Sequence, residues 1–217
     1  MTPLLRRASL AAALALAAAC GRVYAPAAAG SGGALQARAE ASDFSAYELG
    51  STWRDQDGHA RALPSLAGKV RVLALVYTHC AHTCPEIVGE LKRIEAALPP
   101  ADRARAGFVL VSLDPRRDTP ARLREYAASL RLDPARWTLL TGDEDGVREL
   151  AALLGIRYRP EGAEDFSHTN AYLILDKNGR VVYRQDTLDG DPDEPLARIR
   201  AAVSAPPAAA PAAAGDG

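Results

Sequence analysis

Cysteine is scarce in this sequence, with three residues in 217: Cys20, Cys80 and Cys84. Cys20 stands far from the other two. The Cys80–Cys84 pair is too sparse to scaffold a fold by disulfides, so a lone pair at this short spacing points to chemistry instead. Blocks of like charge are missing as well. The 26 basic and 27 acidic residues nearly cancel, and no basic run stands out, which argues against nucleic acid as a partner. No internal repeat is visible. The apolar stretch at the N-terminus, residues 8–19, falls short of the ~20 residues that a membrane-spanning helix needs.

That stretch has the layout of an export signal. Arg6 and Arg7 form a short positive region ahead of a run of Ala and Leu with one Ser. The run ends in LAAAC, with small residues leading to Cys20, as at a site where the signal is removed and the cysteine is lipidated. Ala17 stands where leucine is more usual. Residues 1–19 are therefore read as a lipoprotein-type signal peptide and Cys20 as the lipidation site. A plain signal with Cys20 left free is the alternative. Loss of the signal leaves 24 basic against 27 acidic residues, a net charge of −3. The expected location is the periplasmic side of a bacterial membrane, an oxidising compartment where disulfides persist. Residues 20–42, rich in Ala, Gly and Ser, read as a flexible tether. Residues 204–217, SAPPAAAPAAAGDG, read as a disordered Pro/Ala tail. Residues 43–203 lie between, enough for one domain with a real core.

Within that domain RVLALVY (71–77) and GFVLVSL (107–113) are nearly continuous apolar runs, the pattern of strands buried on both faces. PEIVGELKRIEAAL (85–98) carries Ile87, Leu91, Ile94 and Leu98 at helical spacing, with Pro85 suited to the first turn. TPARLREYAASL (119–130) is a helix opened by Thr119 as N-cap and Pro120 as N1. RWTLLTG (136–142) reads as a short extended piece and DEDGVRELAALLGI (143–156) as a helix with acids in its first turn. NAYLILD (170–176) and RVVYRQ (180–185) are strands joined by a KNG hairpin turn. EPLARIRAAV (194–203) closes the domain as a helix. Strands alternating with helices, then a hairpin and a helix, imply an α/β fold. The order suits a thioredoxin-like three-layer sandwich with a mixed central sheet.

Cys80 and Cys84 fall in VYTHCAHTCPEI, residues 76–87, between the first buried strand and its helix. Cys84 is expected just before the helix and Cys80 one turn earlier. A helix N-terminus presents unpaired amides and partial positive charge, and both favour thiolate. Spacing of four brings the sulfurs onto one side of a turn, within reach of one ion or of each other. The common redox spacing in this fold is C-x-x-C, and C-A-H-T-C is one residue longer. Two thiolates and an imidazole suit copper, since thiolate favours Cu(I) and imidazole accommodates Cu(II) as well. A structural zinc site asks for four closed ligands. Of the four histidines, His168 stands in EDFSHTNAYLILD, just before a core strand. In a thioredoxin-like sheet that loop lies beside the cysteine loop, where a cis-proline often stands, and His168 is the candidate third ligand. The alternative is an ordinary hydrogen-bonded histidine. His79 and His82 flank the cysteines with side chains expected to point mostly away from the sulfurs; a transient role in copper handling is open to either. His59, in the DQDGHA turn, is expected to face solvent.

YTHCAHTCP, VSLDPRRDTPARL, WTLLTGDEDGVRELAALLGI and SHTNAYLILDKNGRVVY, taken in order, resemble the Sco/SenC family over roughly residues 43–203. The resemblance implies a membrane-anchored, thioredoxin-like, copper-binding domain. Such domains serve assembly of the dinuclear copper A centre of cytochrome c oxidase, with subunit II as partner. It also implies one copper held by two cysteines and a histidine, which fall on Cys80, Cys84 and His168. Asp114, in SLDPRRDTP, matches a family acid that supports partner interaction or copper loading. The other reading of Asp114 is an Asp-Pro turn leaving a strand. Ala81 stands where many members have proline, His82 where many carry an acid, and DFSH before the histidine is a further departure.

Two functions from different classes follow. The first is a copper chaperone delivering to the copper A centre. The second is a thiol–disulfide oxidoreductase acting on oxidase subunits or other exported proteins. In it Cys80 attacks, Cys84 resolves, and His168 tunes the thiols. Other copper or thiol carriers are further candidate partners. A peroxidase of the thioredoxin-like kind would place threonine three residues before its cysteine, whereas here Thr78 stands two before Cys80.

Overall fold

The computed structural model describes residues 44–206 except 162–164, 189 and 192. The signal, Cys20, the whole tether and most of the Pro/Ala tail lie outside the described residues. None of the described helices is long and apolar enough to cross a membrane.

The elements run β1 (Thr52–Asp55), β2 (Ala60–Ala62), β3 (Val70–Val76), α1 (Thr83–Ala97), α2 (Pro100–Arg105), β4 (Ala106–Ser112), α3 (Pro120–Ser129), β5 (Trp137–Thr141), α4 (Glu144–Leu153), β6 (Tyr158–Glu161), β7 (Asp165–His168), β8 (Tyr172–Leu175), β9 (Val181–Gln185) and α5 (Asp193–Ser204). Seven strands form one sheet in the order β2-β1-β5-β4-β3-β8-β9. β3, β4 and β5 pair in parallel, while β1, β8 and β9 join antiparallel. The sheet is therefore mixed. β4 is buried at every position and β3 at all but one, as strands covered on both faces must be. Helices α1, α2 and α5 pack on one another and over β3, β4 and β8, and α3 lies against β5.

The apolar periodicities become the core. Ile87, Val88, Leu91 and Ile94 of α1 are buried over the sheet. Phe108 of β4 stacks on Trp137 of β5 at 4.8 Å and 20°. Thr119 caps α3 by accepting from the Arg122 amide at 3.3 Å. Asp143 caps α4 by accepting from the Gly146 amide at 2.7 Å. Between β8 and β9, Gly179 takes φ of 83°, where a Cβ would come within 2.6 Å of the Tyr47 ring. Glycine is thus required there twice over, by backbone and by space.

Five short elements had no strong sequence signal. β1 and β2 have four and three residues, and β2 is fully exposed. α2 buries none of its six residues. β6 and β7 form a separate two-stranded sheet of mostly polar residues, with Pro160 in one strand. Several boundaries shift by one to three residues, and one of these bears on the site. α1 begins at Thr83, so Cys84 lies inside the first turn rather than ahead of it.

Candidate metal centre

Strand β3 ends at Val76, and the chain then makes a loop, Tyr77 to His82, before α1 begins. Cys80 sits in that loop, half-buried, and Cys84 in the first turn of α1 is fully buried. Both are free thiols. The Cys84 amide, one of the unpaired donors of the helix start, points at Cys80 Sγ at 3.3 Å. Thr83 Oγ1 is 3.5 Å from the same sulfur. His168 ends β7 on the opposite side of the site. Its Nε2 lies 3.8 Å from Cys84 Sγ, so two residues 84 positions apart are brought together.

The ring of His168 is held in a defined state. Nδ1 is 3.1 Å from the Thr169 carbonyl. A carbonyl only accepts, so Nδ1 carries the proton and Nε2 is left as the lone-pair nitrogen facing the sulfur. Burial lowers the pKa of this imidazole, partly opposed by the Thr169 contact, and so favours the neutral form that binds metal. Two aromatic rings seat the hairpin: Tyr77 meets Phe166 edge-on at 5.3 Å and the His168 ring at 6.0 Å. Tyr158 backs Phe166 at 6.3 Å.

The two thiols are unequal. Burial works to raise Cys80, but hydrogen bonds from Thr83, the Cys84 amide and thiol, and the His82 amide outweigh it, and its pKa falls to about 7. Cys84 is pushed far up, first by burial. A Tyr77 backbone contact lowers it a little, and the Cys80 sulfur and the charge of Asp118 raise it further. The expectation that the helix start favours thiolate at both positions is thus corrected at Cys84. The charged form there loses more to desolvation than it gains from the helix. A bound cation reverses that balance, because it supplies the opposite charge that the buried thiolate lacks.

Among the described residues, one trio of potential ligands has all its donor atoms within 4.8 Å: Asp55, Asp57 and His59. Asp55 is committed to its turn, accepting from the Asp57 and His59 amides and from Arg61 Nε. His59 is exposed there. The Cys80–Cys84–His168 set is wider. Cys84 is 3.8 Å from His168 and its thiol also bonds Cys80, so the open side of the set lies between His168 and Cys80, the more exposed thiol.

His79 turns its Nδ1 toward Thr78 Oγ1 at 3.4 Å and Asp118 Oδ1 at 3.8 Å. His82 is exposed at the N-cap position of α1 and makes no cap hydrogen bond there. Asp114 is buried and paired with Arg117. It lines a groove of about 580 Å³ shared with Arg116, Glu144, Val147, Tyr158 and Phe166. The groove thus runs from the β4–α3 turn to the hairpin that carries His168. A residue that sequence reasoning passed over is Asp118, four positions on, whose carboxylate is entirely buried. Its signal was faint, because an Asp ahead of a Thr-Pro helix start reads as ordinary capping chemistry.

A thioredoxin-like sheet, a C-x-x-x-C loop at the start of its first long helix and a histidine presented from a side hairpin define a class of thiol-bearing proteins. Within that class the chain belongs to the SCO1/SenC family, whose model matches residues 41–204. It is 26% identical to the SCO1 protein homolog of Bacillus subtilis, over 70% of this chain and 80% of that one. It is 28% identical to the solved structure of Bradyrhizobium japonicum ScoI with copper bound, with a TM-score of 0.59, covering 70% of this chain and 96% of that one. The fold is also that of BsSco, solved as a member of the Sco family of cytochrome c oxidase assembly proteins. That match has 23% identity and a TM-score of 0.65, and covers 76% of this chain and 96% of that one.

Proposed function

We propose that this chain is a copper-binding chaperone that holds one copper through Cys80, Cys84 and His168 and passes it to a cytochrome c oxidase subunit. The observation that carries the reading is the approach of the lone-pair nitrogen of His168 to within 3.8 Å of Cys84 Sγ. Two sulfurs and a neutral imidazole are the donor set that soft copper selects. Copper is named for the ScoI structure and oxidase assembly for BsSco, and membership of the same family supports extending both here. The half-exposed Cys80 suits a donor, which must give up its ion to a partner by ligand exchange. Lipidation at Cys20 would hold the domain on the periplasmic side of the membrane, with the copper A centre of subunit II as destination. Asp114, on the groove beside the His168 hairpin, would contribute to partner contact.

The test is copper stoichiometry of the reduced protein, measured for wild type, Cys84→Ser and His168→Ala. Wild type is expected to hold one copper per chain and Cys84→Ser to lose it. Equal loading of all three would refute the assignment.

A second reading rests on a separate observation, the inequality of the thiols. A half-exposed cysteine with pKa about 7 beside a buried one whose pKa is raised matches an attacking and a resolving thiol. Thiol–disulfide exchange by Cys80 predicts that Cys84→Ser traps a mixed disulfide with an exported client. Copper carriage alone predicts that no such adduct accumulates.

A further inference from the structure

Thr78 and Asp118 lie 40 residues apart, and their contact is the tightest polar link between the cysteine loop and the rest of the domain. The Asp118 carboxylate is 0% exposed. Its Oδ2 accepts from the Thr78 backbone N–H at 3.1 Å and from Ser112 Oγ at 2.6 Å. Its Oδ1 accepts from Thr78 Oγ1 at 2.6 Å, and His79 Nδ1 stands 3.8 Å from it. Arg122 Nε, on α3, donates to Thr78 Oγ1 at 3.0 Å. Three donors converge on one acceptor-only group, a number that two carboxylate oxygens satisfy and a single amide oxygen does not. A buried carboxylate is costly unless it is fully hydrogen-bonded, so its presence here calls for a reason.

The geometry points to a positioning role: Asp118 fixes the place at which the chain leaves β3, and through it the position of Cys80 beside Cys84 and His168. It grips Thr78 by backbone and side chain at once, two residues before Cys80. Ser112, at the end of β4, anchors the carboxylate from the neighbouring strand, and its hydroxyl also accepts from the Asp114 amide at 2.9 Å. The Asp118 amide donates to the Asp114 carbonyl at 2.9 Å, which closes the turn into α3. The loop is therefore clamped to β4 and α3 and not only to its own strand. Cys80 touches Cys84 but must still close on His168, so the direction in which it leaves the clamp bears on binding directly. This inference rests on reading Cys80, Cys84 and His168 as the copper site.

Three variants test it: Asp118→Asn, Thr78→Val, which keeps the shape and removes the hydroxyl, and Thr78→Ser, which restores it. Each is measured as full-length reduced protein for melting temperature, for amide hydrogen exchange over residues 78–84 without metal, and for Cu(I) affinity by competition with a chromophoric chelator. Loss of a supporting hydrogen bond to a metal site costs about 10- to 100-fold in affinity. Asp118→Asn and Thr78→Val are expected to lose affinity in that range and to exchange faster over 78–84, while Thr78→Ser stays close to wild type in both. A lowered melting temperature with unchanged affinity would make Asp118 merely structural and overturn the inference. Unchanged exchange over 78–84 would overturn it too. If wild type itself binds no Cu(I), the copper reading fails, and the exchange comparison still decides whether Asp118 holds the loop.

Discussion

Cys80 and Cys84 share a loop and a helix start and yet differ widely in acidity, because only one of them is buried. Cys80 has access to water and to several donors, and its pKa of about 7 leaves it half ionised at neutral pH. Alkylation of the metal-free protein with iodoacetamide should therefore occur first at Cys80, with a rate that rises through a midpoint near pH 7. Cys84 should stay protected throughout. A midpoint near 9, the ordinary thiol value, would show that the hydrogen bonds to Cys80 do not form. The linkage has a definite sign. A thiol whose pKa is lowered on folding stabilises the fold at pH above its unfolded value, and that contribution fades as pH falls through about 7. Thr83→Ala removes one donor and should move the midpoint upward. The sequence showed the pair, its spacing and the helix behind it. That Cys80 is the more exposed, attacking thiol was legible; the raised pKa of Cys84 was not, because it depends on Cys84 falling one position further into α1, where the core covers it. Asp118 was missed for a related reason: its partners, Thr78 and Ser112, are neighbours only through the β3–β4 pairing.

The β6–β7 hairpin sets the place of His168, and it was the element hardest to anticipate. β3, β4 and α1 announce themselves by apolar runs and helical spacing, and they form close to where the pattern puts them. YRPE and DFSH have no such pattern, because the strands are half-exposed and pair only with each other. An isolated two-stranded hairpin is marginal in water, so something must hold it to the domain. Phe166 does this through its edge-on contact with Tyr77, outside the hairpin, while Tyr158 backs it from the paired strand. Phe166→Ala should leave the far-ultraviolet circular dichroism unchanged while freeing the hairpin. Copper affinity is expected to fall about tenfold, the lower end of the range for a supporting residue. The melting temperature should drop less than for a core residue such as Phe108→Ala, where about 3–5 kcal/mol is at stake. Equal melting losses for the two variants would place Phe166 in the main core instead. A cap variant calibrates the scale: Thr119→Ala, at the start of α3, should cost about 1 kcal/mol in urea unfolding and leave copper binding intact.

At the scale of the whole molecule the proposed ligands come from two separately supported parts, the loop clamped by Asp118 and the hairpin seated by Phe166. An ion bound by both becomes a cross-link that exists only in the folded state. Anything that binds the native chain and not the unfolded one stabilises it by mass action, by about 4.1 kcal/mol at a thousandfold excess over Kd. For a domain of this size each kcal/mol is worth about 2–4 °C, so saturating Cu(I) should raise the melting temperature of the reduced protein by about 10 °C. Competition by a strong chelator should return it to the metal-free value. In Cys84→Ser the shift should vanish, because the donor facing His168 is gone. Oxidation to a Cys80–Cys84 disulfide consumes both thiolates, and the oxidised protein should show no copper-dependent shift at all. A rise of the same size in reduced and oxidised protein would place the ion elsewhere in the molecule. A rise in the reduced protein alone would tie the hold on copper to the redox state of two sulfurs, because only thiolates, and not a disulfide, supply the two soft ligands.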